Sequence, residues 1–487
     1  MSPINRRQFV LASTAATAAA KASTTAAPQT RTRTRRQFRN ILLLIADDQS
    51  PIAGCYGNPV VKTPNMDRLA AAGTLFEHPF CTTPSCSASR SVVLTGLQNH
   101  RNGQFGHAHE PANFHTHTRH QSIPRILQSN GYATGVIGKL HVNPPEVYPW
   151  NFVSPGGPDG AARDVWGMSQ QARQFFSENK DKPFYLHVGF SDPHRAGGPG
   201  LFANHREYPR VTKRTYSPDN VIVPGFLPDT PEVRTELAEY YQAIDRLDQG
   251  VGFLLEALEE SGRADETLVI YMSDHGMPFP GAKGSPYDSG LHVPLIIRTP
   301  EQDKRGIRSQ ALVNWTDILP TVIDWAGVDG TDYETHGRSL LPILEEERPA
   351  GRDEIFFSHT FHEIVNYFPF RGIRTRRFKY TKPLHPELTM PLPSDLWNSP
   401  TWSIVRSRGL EKMGKRNTQE VLHHAKEELY DIVADPMETN NLADLAAHAA
   451  TLKELREKVT KFRRETGDPW LGYFDRIERA PEPPTSG

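Results

Sequence analysis

The stretch Asn40-Ile41-Leu42-Leu43-Leu44-Ile45-Ala46-Asp47-Asp48 decides the fold class of this chain. Its residues from Ile41 to Ala46 form an unbroken apolar run of strand length, which is typical of a strand buried on both faces of a mostly parallel sheet. Two aspartates follow at once, and adjacent carboxylates repel each other unless a cation compensates them. The sequence therefore predicts a buried strand with an acidic pair at its carboxyl end.

Short apolar runs recur along the chain and alternate with helical patterns, which predicts an α/β fold. The further strands are expected at 133–137, 184–190, 267–272 and 293–298, and helices at 64–72 and 230–262. Ligands of such sheets gather at the carboxyl ends of the strands. The side chains that follow a predicted strand within a few residues are Asp47, Asp48, His141, His194, Asp274 and His275. We expect them to lie close together.

The composition limits the classes of function. The chain has 487 residues and a mass of 54.6 kDa, enough for one large domain and a smaller one. Its 55 Lys and Arg residues nearly balance its 56 Asp and Glu residues, so nothing predicts a general attraction to nucleic acid or to an anionic membrane. Three cysteines cannot form a disulfide framework, and no membrane-spanning segment is visible.

The N-terminus has the pattern of an export signal. The basic segment Met1–Arg7 contains Arg6-Arg7, and a short apolar run, Phe9–Ala20, follows it. This twin-arginine pattern predicts export, to the periplasm or as a secreted protein. We divide the chain into a signal peptide 1–27, a basic linker 28–38, a large domain 39–350, a C-terminal domain 351–475 and a disordered Pro- and Glu-rich tail 476–487.

The C-terminal domain is assigned from a change of pattern after residue 350. Arg371–Lys382 alternates basic and apolar residues like a strand, Trp402–Tyr430 is polar and predicted irregular, and Leu452–Thr466 resembles an amphipathic helix.

A second chemical motif lies at a predicted helix start. Thr82–Gly96 runs from a turn into a helix and places Cys86 at its N-terminus, where the helix dipole favours a thiolate. Arg90 follows one turn later on the same face. Taken alone, Cys86 is more readily explained as a buried structural cysteine than as a catalytic one. Asp274-His275-Gly276 closes another strand, and together with Asp47-Asp48 it predicts an oxygen-rich site for Ca²⁺ or Mg²⁺.

These residues resemble the signature of the sulfatase family. The signature reads here Cys86-Ser87-Ala88-Ser89-Arg90, followed by Leu94-Thr95-Gly96. Further blocks occur in family order over residues 39–475: Asp47-Asp48, Gly138–His141, Asp192–His194, Asp274–Gly276, Gly337–Leu340 and Glu428–Asp431. The resemblance implies an alkaline-phosphatase-like sandwich, with a large mixed and mostly parallel sheet in a catalytic domain and a smaller C-terminal α+β domain.

The resemblance also implies a nucleophile and a metal site. A formylglycine-generating maturation enzyme would oxidise Cys86 to formylglycine, whose hydrated aldehyde attacks the sulfate sulfur. The divalent cation, Ca²⁺ with Mg²⁺ as the alternative, would be held by Asp47, Asp48, Cys86, Asp274 and His275. This chain departs from the family at two positions: Ala88 stands where the maturation motif usually has Pro, and His275 stands where many members have Asn.

The remaining roles follow from the same resemblance. Lys139 and Lys283 would neutralise the sulfate oxygens, and Arg90 would hold the hydrate. His194 is assigned as the general acid and His141 as the base, since the pKa of histidine lies near neutrality. His362 and Glu363, from the C-terminal domain, would reach the sugar ring.

Several stretches resemble the sulfamidase, or heparan N-sulfatase, branch of the family. They include Val147–Pro149, Asp248–Gly252, Pro278–Pro280, His362-Glu363 and Asp468–Trp470. This resemblance implies a hydrolase that acts on N-sulfated glucosamine in glycosaminoglycan degradation, and a homodimer.

Three alternatives stay open. The first is an O-sulfatase acting on another sulfated saccharide. The second is a phosphoester hydrolase with a Ser or Thr nucleophile, against which Cys86 argues. The third is an inactive secreted glycan-binding protein, which Ala88 favours if Cys86 is not matured. A histidine-rich segment, containing His107, His109, His115, His117 and His120, is interpreted as a solvated loop, with metal binding as its alternative.

Overall fold

The strand that opens the described part of the chain, β1 (Asn40–Ala46), lies in the interior of the main sheet, and all of its residues are buried. It pairs in parallel with β5 (Phe184–Gly189) on one side and with β6 (Thr267–Ser273) on the other. Alternate residues of β1 face opposite layers of helices, so the side chains on both faces of the strand are apolar. The prediction for this strand is confirmed.

The structure is a computed structural model that describes residues 39–155, 162–196, 201–329 and 333–472. Within these ranges the main sheet has eight strands in the order β4-β3-β5-β1-β6-β7-β2-β8, and β7 alone runs antiparallel to its neighbours. The other strands of this sheet are β2 (Thr74–Phe80), β3 (Ala133–Gly138), β4 (Phe152–Val153), β7 (Leu295–Arg298) and β8 (Ile307–Asn314).

Helices cover both faces of this sheet. One apolar cluster joins the Ile41, Leu43 and Ile45 side of β1 to α2, α4 and α8, and a second joins the Leu42 and Leu44 side to α1, α5 and α6. These helices, with two short ones, are α1 (Pro64–Ala71), α2 (Cys86–Thr95), α3 (Asn99–Asn102), α4 (Ile123–Ser129), α5 (Val165–Glu178), α6 (Pro231–Glu260), α7 (Asp288–Leu291) and α8 (Ile318–Ala326).

A second, antiparallel sheet of four strands in the order β14-β11-β10-β9 lies in the C-terminal part of the described chain. The apolar stripe of the last helix packs on it through Leu452, Leu455 and Val459. The elements of this part are β9 (Glu354–Phe361), β10 (Tyr367–Thr375), β11 (Phe378–Pro383), α9 (Ser394–Trp397), α10 (Pro400–Ser407), β12 (Lys412–Met413), β13 (Arg416–Asn417), α11 (Thr418–Leu422), β14 (Glu428–Asp431) and α12 (Ala449–Glu465).

The large mixed, mostly parallel sheet and the smaller C-terminal sheet confirm the predicted fold class. Two local predictions are wrong. Arg371–Lys382 is not one strand but parts of β10 and β11, because Arg376-Arg377 makes a turn without interrupting the alternation. The segment 402–430 contains short helices and the start of β14. These elements have too few residues to give a periodic pattern in the sequence.

The predicted signal peptide 1–27, the linker 28–38 and the tail 476–487 lie outside the described residues. None of the helices in the described ranges has the length and apolar character needed to cross a membrane. The three cysteines, Cys55, Cys81 and Cys86, are all free.

A buried ion pair ties the C-terminal end of the described chain to the second sheet. Arg371, on β10, donates from Nε and Nη2 to the two carboxylate oxygens of Asp468 at 2.9 and 3.1 Å, and neither side chain is exposed. Burial alone would raise the pKa of Asp468, but the guanidinium of Arg371 holds it well below the usual range of a carboxyl. The pair therefore stays ionised at neutral pH.

We expect Asp468→Asn to lower the free energy of unfolding by about 3–5 kcal/mol at pH 7, because the charge of Arg371 is left buried without its partner. Urea unfolding measures the change. The matched control is Glu454→Gln, which removes an exposed ion pair with Lys458 and should cost less than about 1 kcal/mol.

The same variant should show a pH dependence of known sign. A carboxyl with a depressed pKa in the folded state adds stability that is present above its unfolded pKa, about 3.9, and is lost as the pH falls through the folded pKa. The difference in unfolding free energy between wild type and Asp468→Asn should therefore shrink below about pH 4. A difference that stays constant from pH 7 to the acid limit would contradict this role for Asp468.

Candidate active site

The acidic pairs predicted from the sequence meet at the carboxyl ends of β1 and β6. Asp47, Asp48, Asp274 and His275 are all fully buried. The backbone N–H of Asp48 donates to Asp274 Oδ1 at 3.1 Å, and His275 Nε2 lies 3.0 Å from Asp48 Oδ1. This meeting point is the carboxyl edge at which ligands of α/β sheets bind.

Backbone strain marks two residues of the site. Asp48 and His141 have φ values of 66° and 57°, in the left-handed region that non-glycine residues avoid. Such conformations cost of order 1–3 kcal/mol and persist only where the surrounding structure imposes them. The chain therefore accepts strain at the ends of β1 and β3 to place these two side chains.

Cys86 is the first residue of α2, as the sequence predicts, and Gly96 ends this helix in the left-handed conformation. The thiol is buried, and its Sγ lies 3.1 Å from Nε2 of His275. The ring Nδ1 of His275 is 3.0 Å from the carbonyl oxygen of Gly276, which fixes the ring so that Nε2 faces Asp48 and Cys86. Residue 86 therefore touches the acidic cluster directly.

Arg90 lies one turn after Cys86 and joins three elements. Its Nε donates to Asp274 Oδ2 at 2.9 Å, its Nη1 donates to the carbonyl of Lys139 at 2.9 Å, and its Nη2 is 3.6 Å from Asp47 Oδ1. Burial alone would lower the pKa of Arg90, but the two carboxylates raise it above its ordinary value, so the guanidinium stays charged. The carbonyl of Lys139 lies against Gly189, where a Cβ atom would be 1.8 Å from its oxygen. Only glycine at position 189 allows this carbonyl to come so close.

Two lysines add positive charge beside the carboxylates. Lys139 donates to Asp47 Oδ2, and Lys283 donates to Asp48 Oδ2 at 2.9 Å. Burial would lower the pKa of both lysines, yet the neighbouring carboxylates raise both values, so both side chains are cationic at neutral pH. These charges suit the binding of an anionic group next to Cys86.

Both predicted acid–base histidines reach the same cavity. His194 has its Nδ1 2.6 Å from the carbonyl of Arg195, and its Nε2 lies 3.8 Å from Asp48 Oδ2. Burial, together with nearby lysines, lowers the pKa of both His194 and His141 well below the usual value. Both rings are therefore neutral at pH 7 when no substrate is bound.

The cavity above Cys86 has a volume of about 450 Å³ and is lined by both parts of the chain. His362 and Glu363 line it, and His362 Nδ1 lies 3.0 Å from Oγ of Ser85, the residue directly before Cys86. The structure thus brings every predicted site residue to one place. The residues that line this cavity are Asp47, Cys86, His107, His109, Lys139, His141, Arg163, Ser191, His194, Lys283, His362, Glu363, Ser394 and Asp395.

The sequence does not reveal Asp395 as a site residue. Its carboxylate accepts from Lys283 Nζ at 3.0 Å and lies 4.0 Å from His194 Nε2. Burial would raise the pKa of Asp395, but Lys283 and His194 lower it well below its ordinary value, so the carboxylate is ionised. Asp395 lies on the short helix α9, whose sequence has no pattern that points to a site.

The interpretation of the histidine-rich segment as a solvated loop is wrong in part. His115 and His117 are exposed, but His107 and His120 are buried, and His107 and His109 line the cavity. The loop is drawn inward because the N–H of His107 donates to the carbonyl of His362 at 2.9 Å. Local sequence could not show this contact with a residue more than two hundred positions away.

The acidic cluster fits a divalent cation. Ligand atoms of Asp47, Cys86, Asp274 and His275 lie within 4.8 Å of one another. Asp47 Oδ1 is buried and has no hydrogen-bond partner among the described residues, a costly state that a cation would relieve. Burial raises the pKa of Asp48 and of Asp274. Burial alone would lower the pKa of His275, but the surrounding negative charge raises it to about 10. A hard cation with oxygen ligands, Ca²⁺ or Mg²⁺, suits this set.

Two family models match the chain. Residues 39–328 match the model described as Sulfatase, and residues 282–388 match the one described as N-sulphoglucosamine sulphohydrolase, C-terminal. The chain is 36% identical to the N-sulphoglucosamine sulphohydrolase of Homo sapiens, over 91% of this chain and 93% of that protein. It is 30% identical to an ulvan-active sulfatase of Formosa agariphila, over 88% of this chain and 80% of that protein.

The fold has solved counterparts. One is a protein in complex with its substrate D-glucosamine-2-N,6-O-disulfate, with a TM-score of 0.64 and 23% identity, covering 89% of this chain and 99% of that one. At this identity the likeness concerns the fold alone.

We expect Ca²⁺ to raise the melting temperature of the protein, because an ion that binds only the folded state stabilises it by mass action. Scanning calorimetry with and without a chelator measures the shift. Asp274→Asn should lose most of it, since it removes a ligand charge. Asp248→Asn, a buried carboxyl that binds the backbone of Asn65 and Met66 instead, should keep it. Equal shifts in both variants would contradict the metal site.

Proposed function

The chain belongs to the sulfatase family, and we propose that it is a sulfohydrolase that releases the N-linked sulfate of glucosamine in a sulfated saccharide. One observation carries the choice of substrate. The segment that matches the C-terminal model of N-sulphoglucosamine sulphohydrolase, residues 282–388, supplies Lys283, His362 and Glu363 to the cavity above Cys86. The part of the chain that resembles sulfamidase therefore faces the position where a substrate would lie.

In the proposed mechanism, positively charged side chains first bind the anionic group of the substrate. A sulfamate group is anionic, and Lys139 and Lys283 supply two cations at the floor of the cavity. Formylglycine at position 86 would supply the nucleophilic hydroxyl, and a divalent cation held by Asp47, Asp48, Asp274 and His275 would polarise the sulfate oxygens. Arg90, locked between Asp274 and the Lys139 carbonyl, orients the start of α2 and so the side chain of residue 86.

His194 is proposed as the general acid that protonates the leaving nitrogen. Its Nδ1–H donates to the Arg195 carbonyl, so Nε2 is the atom that exchanges a proton with the substrate. In the empty site burial and Lys283 keep His194 neutral. An anionic substrate next to the ring favours its protonated form, so the acid is charged when substrate binds.

His141 is proposed as the base that removes the second hydroxyl proton of the hydrate. Its depressed pKa keeps the ring neutral, as a base requires, and both of its ring nitrogens are buried without a hydrogen-bond partner among the described residues. The lone pair is therefore free to accept a proton.

Asp395 is proposed as a positioning residue. Its carboxylate holds Lys283 and faces His194, and both contacts come from the C-terminal part of the chain. Among the charges around His194, that of Asp395 raises the pKa of the ring, against the larger effects of burial and Lys283. Asp395 thus ties the acid to the cation.

A second candidate function is an O-sulfatase acting on another sulfated saccharide. The 30% identity to an ulvan-active sulfatase favours it, because that match also spans most of both chains. The cavity residues named above would serve either bond, so the choice depends on which substrate is cleaved.

Export, maturation and assembly are further parts of the proposal. The Arg6-Arg7 pattern supports twin-arginine export to the periplasm or the medium, and the motif around Cys86 supports a maturation enzyme as a partner. The resemblance to sulfamidases supports a homodimer.

The function is tested first by the mass of residue 86 and by a substrate panel. Protein from a host with a maturation enzyme should lose about 18 Da at this residue, as a thiol becomes an aldehyde. It should then release sulfate from N-sulfoglucosamine in preference to 6-O-sulfated glucosamine. Cys86→Ala should lower kcat by at least about a thousandfold, and the control Cys55→Ala should not.

Each alternative outcome has a distinct meaning. Release from O-sulfated sugars alone would replace the N-sulfatase by the O-sulfatase. A retained thiol at residue 86, with saccharide binding but no release, would favour the glycan-binding interpretation that Ala88 suggests.

Asp395→Asn should lower kcat roughly ten- to hundredfold, because Lys283 and His194 lose their shared partner. The loss of negative charge also lowers the pKa of His194. The high-pH limb of the kcat profile, where the acid deprotonates, should therefore move to lower pH. Asp353→Asn, an exposed carboxylate paired with Arg376, is the control. An unchanged limb with reduced kcat would leave Asp395 with a structural role only.

A further inference from the structure

Three imidazoles form a triangle at one side of the cavity. His107 and His109 come from the loop after α3, and His141 follows β3. Their ring centroids are separated pairwise by 4.9, 5.0 and 5.0 Å, and one ligand atom from each lies within 4.8 Å of the other two. The acidic cluster uses none of these three residues.

Most ring nitrogens of this triangle have no hydrogen-bond partner among the described residues. Both ring nitrogens of His107 and both of His141 are buried with no hydrogen bond to any described residue. His109 Nδ1 lies 2.9 Å from the carbonyl of Glu110, which leaves Nε2 as its free nitrogen. Buried polar atoms are nearly always satisfied, so the four buried nitrogens of His107 and His141 point to a ligand that accepts their lone pairs.

The backbone holds the triangle in place. The N–H of Ala108 donates to Ser87 Oγ at 3.0 Å, and the carbonyl of Ala108 accepts from Asn143 Nδ2 at 3.0 Å. These bonds join the loop to α2 on one side and to the segment after His141 on the other. The strained backbone of His141 places its ring face to face with that of His109 and 5.0 Å from that of His107, measured between ring centroids.

We propose that His107, His109 and His141 form a second metal site, which takes a borderline transition metal ion such as Zn²⁺. Three imidazoles and one open position are a common ligand set for this ion. With Zn–N bonds of about 2.0–2.1 Å, tetrahedral geometry places the nitrogens roughly 3.4 Å apart. The three ligand atoms lie within 4.8 Å of one another, so they need to approach by at most about 1.4 Å. The parallel rings of His109 and His141 also need to rotate so that both lone pairs point at the ion. The oxygen-rich cluster around Asp47 differs from it in ligand type and prefers a hard cation.

Occupation of this site would inhibit hydrolysis. A metal ion bound to His141 takes the lone pair with which this ring accepts a proton, and it narrows the cavity. This consequence rests on the proposed role of His141 as the base, whereas the metal site itself does not.

Isothermal titration of Zn²⁺ into the mature, Ca²⁺-saturated protein tests the site. Wild type should show a Zn²⁺ site that His109→Asn weakens at least tenfold, by loss of one of three ligands. His109 is exposed, so this variant keeps the fold. His115→Asn, an exposed histidine of the same loop outside the triangle, is the matched control and should bind as wild type does. Equal Zn²⁺ affinity in His109→Asn and wild type would overturn the proposal.

Two further readouts sharpen the test. Cu²⁺ used as a probe should show coupling to three nitrogens in the electron paramagnetic resonance spectrum of wild type and to two in His109→Asn. A wild-type spectrum without nitrogen coupling would overturn the site. Zn²⁺ should also inhibit wild type at concentrations at least tenfold below those needed for His109→Asn. Tight binding at the triangle without inhibition would keep the site and refute the role of His141, so the two proposals fail separately.

Discussion

The guanidinium of Arg90 is the constraint on which the site depends. It is fully buried, and it bridges the carboxylates that end β1 and β6 while its third nitrogen holds the carbonyl after β3. Removing one partner of such a buried pair costs about 3–5 kcal/mol, so sheet and helix cannot shift independently. Since Cys86 starts the helix that carries Arg90, the position of the reactive residue is set by the sheet.

The strands of the main sheet stabilise the fold, whereas the site at their carboxyl ends costs stability. The strands supply an apolar core on both faces, and their carboxyl ends gather buried charge and strained backbone at Asp48 and His141. Buried charge is tolerated because each carboxylate meets a cation from another element, such as Lys139 or Lys283. An anionic substrate can also pair with these lysines, in place of the carboxylates that they contact in this structure.

The C-terminal part of the chain completes the cavity. His362, Glu363 and Asp395 reach it from the second sheet and its neighbouring helix, and the loop of His107 is bonded to the carbonyl of His362. In the proposed function, chemistry at the sulfur and recognition of the saccharide would be supplied by different regions of the chain. Such a division would let the substrate change while the reactive end is kept.

The sequence alone determined the central strand, the α/β class, the position of Cys86 at a helix start and the convergence of the acidic pairs. It could do so because a buried strand requires a local run of apolar residues, and because the carboxyl ends of parallel strands meet at one edge of the sheet. Tertiary structure alone decided that Asp395 joins Lys283 and His194, that His107 is buried, and that His107 and His109 line the cavity. These contacts depend on how distant loops pack on one another, and no periodicity in the local sequence records such packing.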